Sequence, residues 1–312
     1  MDNRKKILLV VLPLIVVVIL SLILVVVPLF DSAELTVEER ALSIISDVIG
    51  IDLSRYNVEL YNNNSEIYDG LFREYVDYTL ESNESELQVM ITFGNHTFTH
   101  WDLTQINSST LSPPVYVAPL PDNTLDVVKE TLQRYHAYFE SSIVEEALNV
   151  LDTVTELRTM NATVGDLKMR VTERDASMNI DWVRTINGLD FPTGLSINLA
   201  NGVIDGFADQ SRFFKIGSAD VNISREDAIS IAREEAKTYN SVTLWRIGTF
   251  RFRVKEEPST VRLQVGTGNF TSYPYWDVWF AADPEVHSVT GVKVYVRADT
   301  GEITYSSTTQ GF

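Results

Sequence analysis

The chain has only four histidines, and only His96 and His100 lie close together in sequence. On a helix, a spacing of four would let both reach one metal ion. Here the context, Phe93-Gly-Asn95 followed by Thr97-Phe98-Thr99, is that of a hairpin and its returning strand. On a strand the two side chains share a face but stand about 13 Å apart, at roughly 3.3 Å per residue. Ligand bonds near 2 Å cannot bridge that gap, so no metal site is expected. His136, next to Tyr135 in an amphipathic stretch, reads as a partly buried helix residue, and His287 falls in a loop after Pro284. The chain has no cysteine, hence no thiolate nucleophile, disulfide or cysteine-zinc site. No Gly-x-Ser-x-Gly elbow occurs. Gly266-Thr-Gly268 lacks the third glycine of a phosphate loop, since position 271 is Thr. The acidic pairs Glu38-Glu39, Glu145-Glu146, Glu234-Glu235 and Glu256-Glu257 read as solvated charge on helix starts and polar faces. The expectation is a protein with no catalytic residue, metal or cofactor, which is not an enzyme.

Two other residue classes can recognise rather than react. Tyr273, Tyr275, Trp276 and Trp279 crowd one strand, with Tyr275 and Trp279 on one face and Trp276, Val278 and Phe280 on the other. One face must be core. If the second is uncovered, its aromatics form a binding patch. Asn-x-Ser/Thr sequons stand at Asn63, Asn83, Asn95, Asn107, Asn161, Asn222 and Asn269. As N-glycosylation sites they would have to be exposed and outside the cytoplasm.

The elements that position these residues begin with a membrane anchor. Ile7–Phe30 carries no charge and, at about 1.5 Å per residue, is long enough to cross a hydrocarbon core of roughly 30 Å. Arg4, Lys5 and Lys6 precede it, while Asp31 and Glu34 follow. The positive side stays inside, so residues 1–6 form a cytoplasmic tail, 7–30 a single transmembrane helix, and 31–312 an extracytoplasmic region. The chain carries 25 Lys+Arg against 43 Asp+Glu, a net charge of −18. Such a surface repels nucleic acid and anionic headgroups. The partners expected are therefore the membrane, through the anchor, and an extracytoplasmic protein or peptide, with no nucleic acid.

Downstream, the periodicity predicts three α+β stretches: 31–106, 124–220 and 221–312. In the first, Thr36 and Glu39 form a capping box for a helix over 36–49 that Gly50 stops. Polar residues Tyr61 to Tyr68 read as a connection. Strands follow near Glu74–Leu80 and at Leu87–Phe93, with a Gly94-Asn95 turn before His96–Trp101. Residues 107–123 hold Pro113, Pro114, Pro119 and Pro121 and read as a stiff linker. The middle stretch has helices over 124–140 and from a Ser142–Glu145 capping box, then alternating strands with Asn187-Gly188 and Asn201-Gly202 turns. The last has a helix capped by Ser224, with Asp227 three residues on, then strands and an Asp299-Thr300-Gly301 turn. The helix starts at Thr36 and Ser224 suggest an internal repeat of helix-on-sheet modules.

The run Ile223-Ser-Arg-Glu-Asp-Ala-Ile-Ser-Ile-Ala, then Tyr275-Trp276-Asp277-Val278, then Val294 to Ile303 with Asp299-Thr300-Gly301-Glu302, resembles the PepSY domain. Trp182-Val-Arg184-Thr-Ile-Asn187-Gly188 with Leu195–Leu199 is similar to the tandem arrangement of YcdB/YcdC-type PepSY proteins. The resemblance covers about 124–308. It implies α+β modules, each a helix packed on an antiparallel sheet; with the anchor, the expected architecture is an N-terminal transmembrane helix followed by two or three PepSY-like modules. It also implies a binding or regulatory role, with inhibition or chaperoning of an extracytoplasmic peptidase as the alternative; apart from the resemblance, a hydrolase with a scattered site is a more distant reading. The motifs are caps, pleats and turns, and no catalytic residue carries over.

Overall fold

The computed structural model describes residues 35–310 apart from 69, 84, 107–112, 245–247 and 287–288. The expected anchor, Ile7–Phe30, lies outside the described residues, as do Asn107 and His287. Among the described residues no helix is long and apolar enough to cross a membrane.

The first helix, α1 (Val37–Ser43), continues as π-helical turns over Ile44–Ile49. Its capping box is formed: Thr36 Oγ1 accepts from the Glu39 amide at 3.2 Å, and Glu39 Oε2 accepts from the Thr36 amide at 2.9 Å. Gly50 ends the helix at φ 85°, a left-handed conformation glycine adopts without strain. The orphan carbonyls of its last turn go to Arg134, whose Nε donates to Val48 O at 2.9 Å.

A meander of β1 (Asn57–Tyr68), β2 (Leu71–Glu81), β3 (Glu86–Gly94) and β4 (Thr97–Gln105) follows. The Asn-rich run Tyr61 to Tyr68, expected as a connection, is strand. It shows no apolar alternation because β1 is the sheet edge, exposed on both faces, and its backbone is satisfied by antiparallel pairing with β2. The β3–β4 turn sits one residue later than expected. Asn95 and His96 are its left-handed residues, at φ 45° and 64°, while Gly94 stays in the strand opposite Thr97. His96 is therefore a turn residue rather than the first of the returning strand.

The proline-rich stretch is a strap, not a free linker. Val117 N donates to Gly50 O and Asp52 N to Val115 O, both at 2.9 Å, and Ile51 bridges Tyr116. Val115, Tyr116 and Leu120 pack on the core. Helices α2 (Thr124–Phe139) and α3 (Ser142–Leu151) come next. Asn123 caps α2 by accepting from the Asp126 amide at 2.8 Å. The expected Ser142–Glu145 box does not form: Ser141 holds the cap position without a side-chain cap bond, and Glu145 lies 3.4 Å from His136 Nε2 instead.

Strands β5 (Met160–Val164), β6 (Leu167–Arg174), β7 (Ser177–Ile186), β8 (Leu189–Phe191), β9 (Leu195–Ala200) and β10 (Val203–Asp209) complete the layer. They do not form a sheet of their own. β10 pairs with β4, which gives one ten-stranded sheet in the order β1-β2-β3-β4-β10-β9-β7-β6-β5, with β8 beside β7. Residues 31–106 and 124–220, expected as two modules with a linker, thus supply two halves of one sheet, in place of the tandem arrangement the Arg184-to-Gly188 motif suggested. Register proves the continuity. Val76, Ile91, Trp101, Phe207, Ile197, Ile180 and Val171 are cross-strand partners in sequence, and all are buried beneath the helices. The Arg184 motif stitches the layers: Arg184 donates to Glu146 of α3 at 2.8 Å and to Asp166 at 2.7 Å.

The remainder builds a second sheet under α4 (Arg225–Ala236). Ser224 Oγ accepts from the Asp227 amide at 3.1 Å, and Ala228, Ala232 and Ala236 are fully buried. After the hairpin β12 (Ser241–Leu244) and β13 (Gly248–Arg251) come β14 (Arg253–Val254), β15 (Thr260–Gly268), β16 (Thr271–Val286), β17 (Val289–Arg297) and β18 (Ile303–Gln310). All but the hairpin join one sheet around β16. A short parallel strand, β11 (Lys215–Ile216), ties the end of the first unit to Thr271 and Ser272.

The α2–α3 corner is clasped to β10 by Asp209, which is fully buried. Its carboxylate accepts from Tyr135 Oη at 2.7 Å, from the Ser211 amide at 3.0 Å and from the Ser211 hydroxyl at 2.5 Å, with Arg212 Nε at 3.3 Å. Burial and this carboxylate push the Tyr135 hydroxyl far up, so it stays a donor. Removing the acid strands Arg212 and three donors. Asp209→Ala is expected to cost about 3–5 kcal/mol and Tyr135→Phe about 1–2 kcal/mol, measured by urea unfolding followed by circular dichroism.

Candidate functional site

Alternation along β16 divides its side chains. Trp276, Val278 and Phe280 face α4, and Trp276 Nε1 donates to Ile223 O at 3.0 Å. Of the four aromatics expected in a patch, Trp276 is thus spent on packing. Tyr273, Tyr275 and Trp279 stand on the opposite face, which no helix among the described residues covers.

Glycines on the flanking strands let these rings lie down. A β-carbon at Gly266 would fall 2.6 Å from the Tyr275 ring, and one at Gly268 would fall 3.0 Å from Tyr273 Oη. At Gly291 it would collide with the Phe280 carbonyl and lie 2.6 Å from Trp279 Nε1. Trp279 crosses Gly291 to donate to Thr309 Oγ1 at 3.0 Å. The ring series continues across the sheet: Tyr275 and Tyr295 centroids are 4.6 Å apart, Tyr295 and Tyr305 5.0 Å. Tyr305 is 48% exposed. Aromatic side chains laid over strand glycines restore the packing those glycines lack.

Each acid on this face has a base beside it, and exposed Arg262, opposite Asp277, adds a further positive charge. Lys293 Nζ lies 3.2 Å from Asp277 Oδ2, and the Tyr295 hydroxyl, with Asp277 beside it, raises the lysine above its usual range. Arg297 sits 4.6 Å above the Tyr273 ring and donates to Asp299 at 2.9 and 2.6 Å. That bidentate bond holds the Asp299 carboxyl low and the guanidinium high. Burial raises the Tyr275 hydroxyl. The result is an aromatic surface with no excess of acid, suited to contact rather than proton transfer, on a chain of net charge −18. Tyr295 and Tyr305 were missed as members. The available signal was Tyr295 alternating with Val294 and Val296, which puts it on the face that Tyr275 shares.

The described sequons are all exposed: Asn63 on β1, Asn161 on β5, Asn83, Asn95 and Asn269 in turns, and Asn222 before α4. His100 is drawn down by burial and lies 3.6 Å from Asp102, while His96 Nδ1 lies 2.8 Å from Glu74.

No family model and no curated protein matches the chain. Among solved structures it is similar to the C-terminal domain of YpeB from Bacillus megaterium, at 10% identity and a TM-score of 0.38, over 88% of this chain and 99% of that one. What the chain's own coordinates establish is a mixed fold of helices on antiparallel sheet, mostly strand.

The glycine seats are testable. Gly291→Ala, which meets backbone, is expected to cost about 1–3 kcal/mol. Gly266→Ala, which meets only a tyrosine ring, should cost less but alter the near-ultraviolet circular dichroism of the aromatic face.

Proposed function

We propose that the chain is a single-pass membrane protein whose extracytoplasmic region, residues 31–312, binds a protein or peptide partner and has no catalysis of its own. The observation that carries this is the helix-free face of Tyr273, Tyr275, Trp279, Tyr295 and Tyr305, whose acids each have a base beside them. Aromatic side chains held by neighbours lose little entropy on binding and dominate contact energies. A PepSY-like reading of 221–312 is supported by the Ser224 cap, the buried alanine face of α4 and the Asp299-Thr300-Gly301 turn between β17 and β18. Regulation of an extracytoplasmic peptidase, by inhibition or chaperoning, is the finer form of this reading that the resemblance motivates. The anchor rests on the charge-free run Ile7–Phe30 behind Arg4-Lys5-Lys6. Exposed sequons agree with an outside location, and the acidic surface disfavours nucleic acid.

Protease added to intact cells is expected to digest residues 31–312 while a cytoplasmic control survives; equal protection of both would reverse the orientation. Peptides selected from a displayed random library on the full chain should bind about tenfold or more weakly to the Tyr295→Ala/Tyr305→Ala variant. Unchanged affinity would remove this face as the binding surface.

A further inference from the structure

The ten-stranded sheet has a second, polar face. Running across it, one position on from the buried row, are Asp77, Met90, Asp102, Gly206, Asn198, Asn179 and Thr172, again cross-strand partners in sequence. The middle of this row is unusual. β4 and β10 pair through only three residue couples, Asp102–Gly206, Trp101–Phe207 and His100–Ala208, although β4 runs on to Gln105 and β10 begins at Val203. The register of β10 against β9 also shifts between Ile204 and Gly206. The seam therefore opens, and Gly206 contributes no side chain to fill it. A β-carbon there would lie 3.1 Å from Asn198 Nδ2 and 3.3 Å from Asp102 Oδ1, so both side chains lean over the same notch.

The opening is a cleft of about 710 Å³ whose walls include Asp102, Asp205, Asn179, Asn198, Thr172 and Arg174. Asp205 Oδ1 is buried there without a hydrogen-bond partner. Burial, and then the neighbouring Asp102, raise the Asp205 carboxyl. That oxygen is open to accept from a group that enters the cleft.

The lining selects the chemistry. Carboxylates only accept, a guanidinium only donates, and amides and hydroxyls do both. A phosphate or carboxylate ligand would be repelled by Asp102 and Asp205. A bare cation would find too few ligands: among the described residues no group of three or more His, Cys, Asp or Glu side chains could hold one. Hydroxyl groups on adjacent carbons donate and accept at the close spacing these planar side chains present, and the volume lies within the usual range for small-ligand sites. We propose that the cleft at the β4–β10 seam binds a short neutral oligosaccharide. The site is separate from the aromatic face and lies on the other sheet, so either can fail without the other.

Saturation-transfer NMR and calorimetry decide it, with the full chain in a zwitterionic, sugar-free detergent and maltotriose, triacetylchitotriose and mannotriose as probes. At least one probe is expected to show transfer, with affinity falling about tenfold in Asp205→Asn and in Asn198→Ala. Thermal melting should be unchanged, and Tyr305→Ala should bind like the parent. Asp205→Asn removes a buried charge while keeping its shape, so misfolding does not confound it. No transfer from any probe at about 10 mM, or a signal that survives both substitutions, overturns the proposal. So does calcium binding that depends on Asp205 with no sugar signal, which would assign the cleft to a cation.

Discussion

Three antiparallel residue couples between β4 and β10 join the halves of the large sheet, and much of the molecule depends on them. Through Trp101 opposite Phe207, whose rings stack at 6.4 Å, they carry a buried apolar row from β2 to β6. Against that row pack α1, α2 and α3, with Tyr135, Phe139 and Phe98 closing around Phe207. The join is short, so the fold reinforces it at the corner. Asp209, at the end of β10, takes donors from α2 and from its own following turn. The proline-rich strap and Arg134 then hold the end of α1 to the same core.

Shortness at this seam has a second effect. An antiparallel ladder that parts before its strands end must leave an opening, and the polar face places amides and carboxylates around it. Where the register of β10 shifts, the buried face keeps Ile204 and Phe207 in the core while Asp205 Oδ1 is left without a partner. Stability on one side and an unsatisfied group on the other thus come from the same irregularity.

The C-terminal sheet manages its uncovered face differently. It spends glycines at 266, 268 and 291 so that broad rings can lie across neighbouring strands. Each acid in the patch has a base beside it, Lys293 for Asp277 and Arg297 for Asp299. A chain with a large acid excess thereby keeps one surface near neutrality. That separates this face from the solvated acidic surface that keeps the rest apart from anionic partners.

Local signals in the sequence were enough to determine the capping box at Thr36, the cap at Ser224, the Gly50 stop, the alternating strands and the left-handed turns at Asn187 and Asn201. Each depends on contacts within a few residues, so no distant partner is needed to read it. The division of Trp276 from Tyr275 and Trp279 followed from the same two-residue period. Tertiary structure alone decided that β1 is a strand, because an edge strand exposed along almost its whole length shows no periodicity. It alone decided that β4 meets β10, because the choice of neighbour between strands about a hundred residues apart leaves no mark on either one. The same holds for Glu145, drawn from a cap to His136, and for the prolines turned from linker to strap. In each case long-range packing outweighed a local preference worth about 1 kcal/mol.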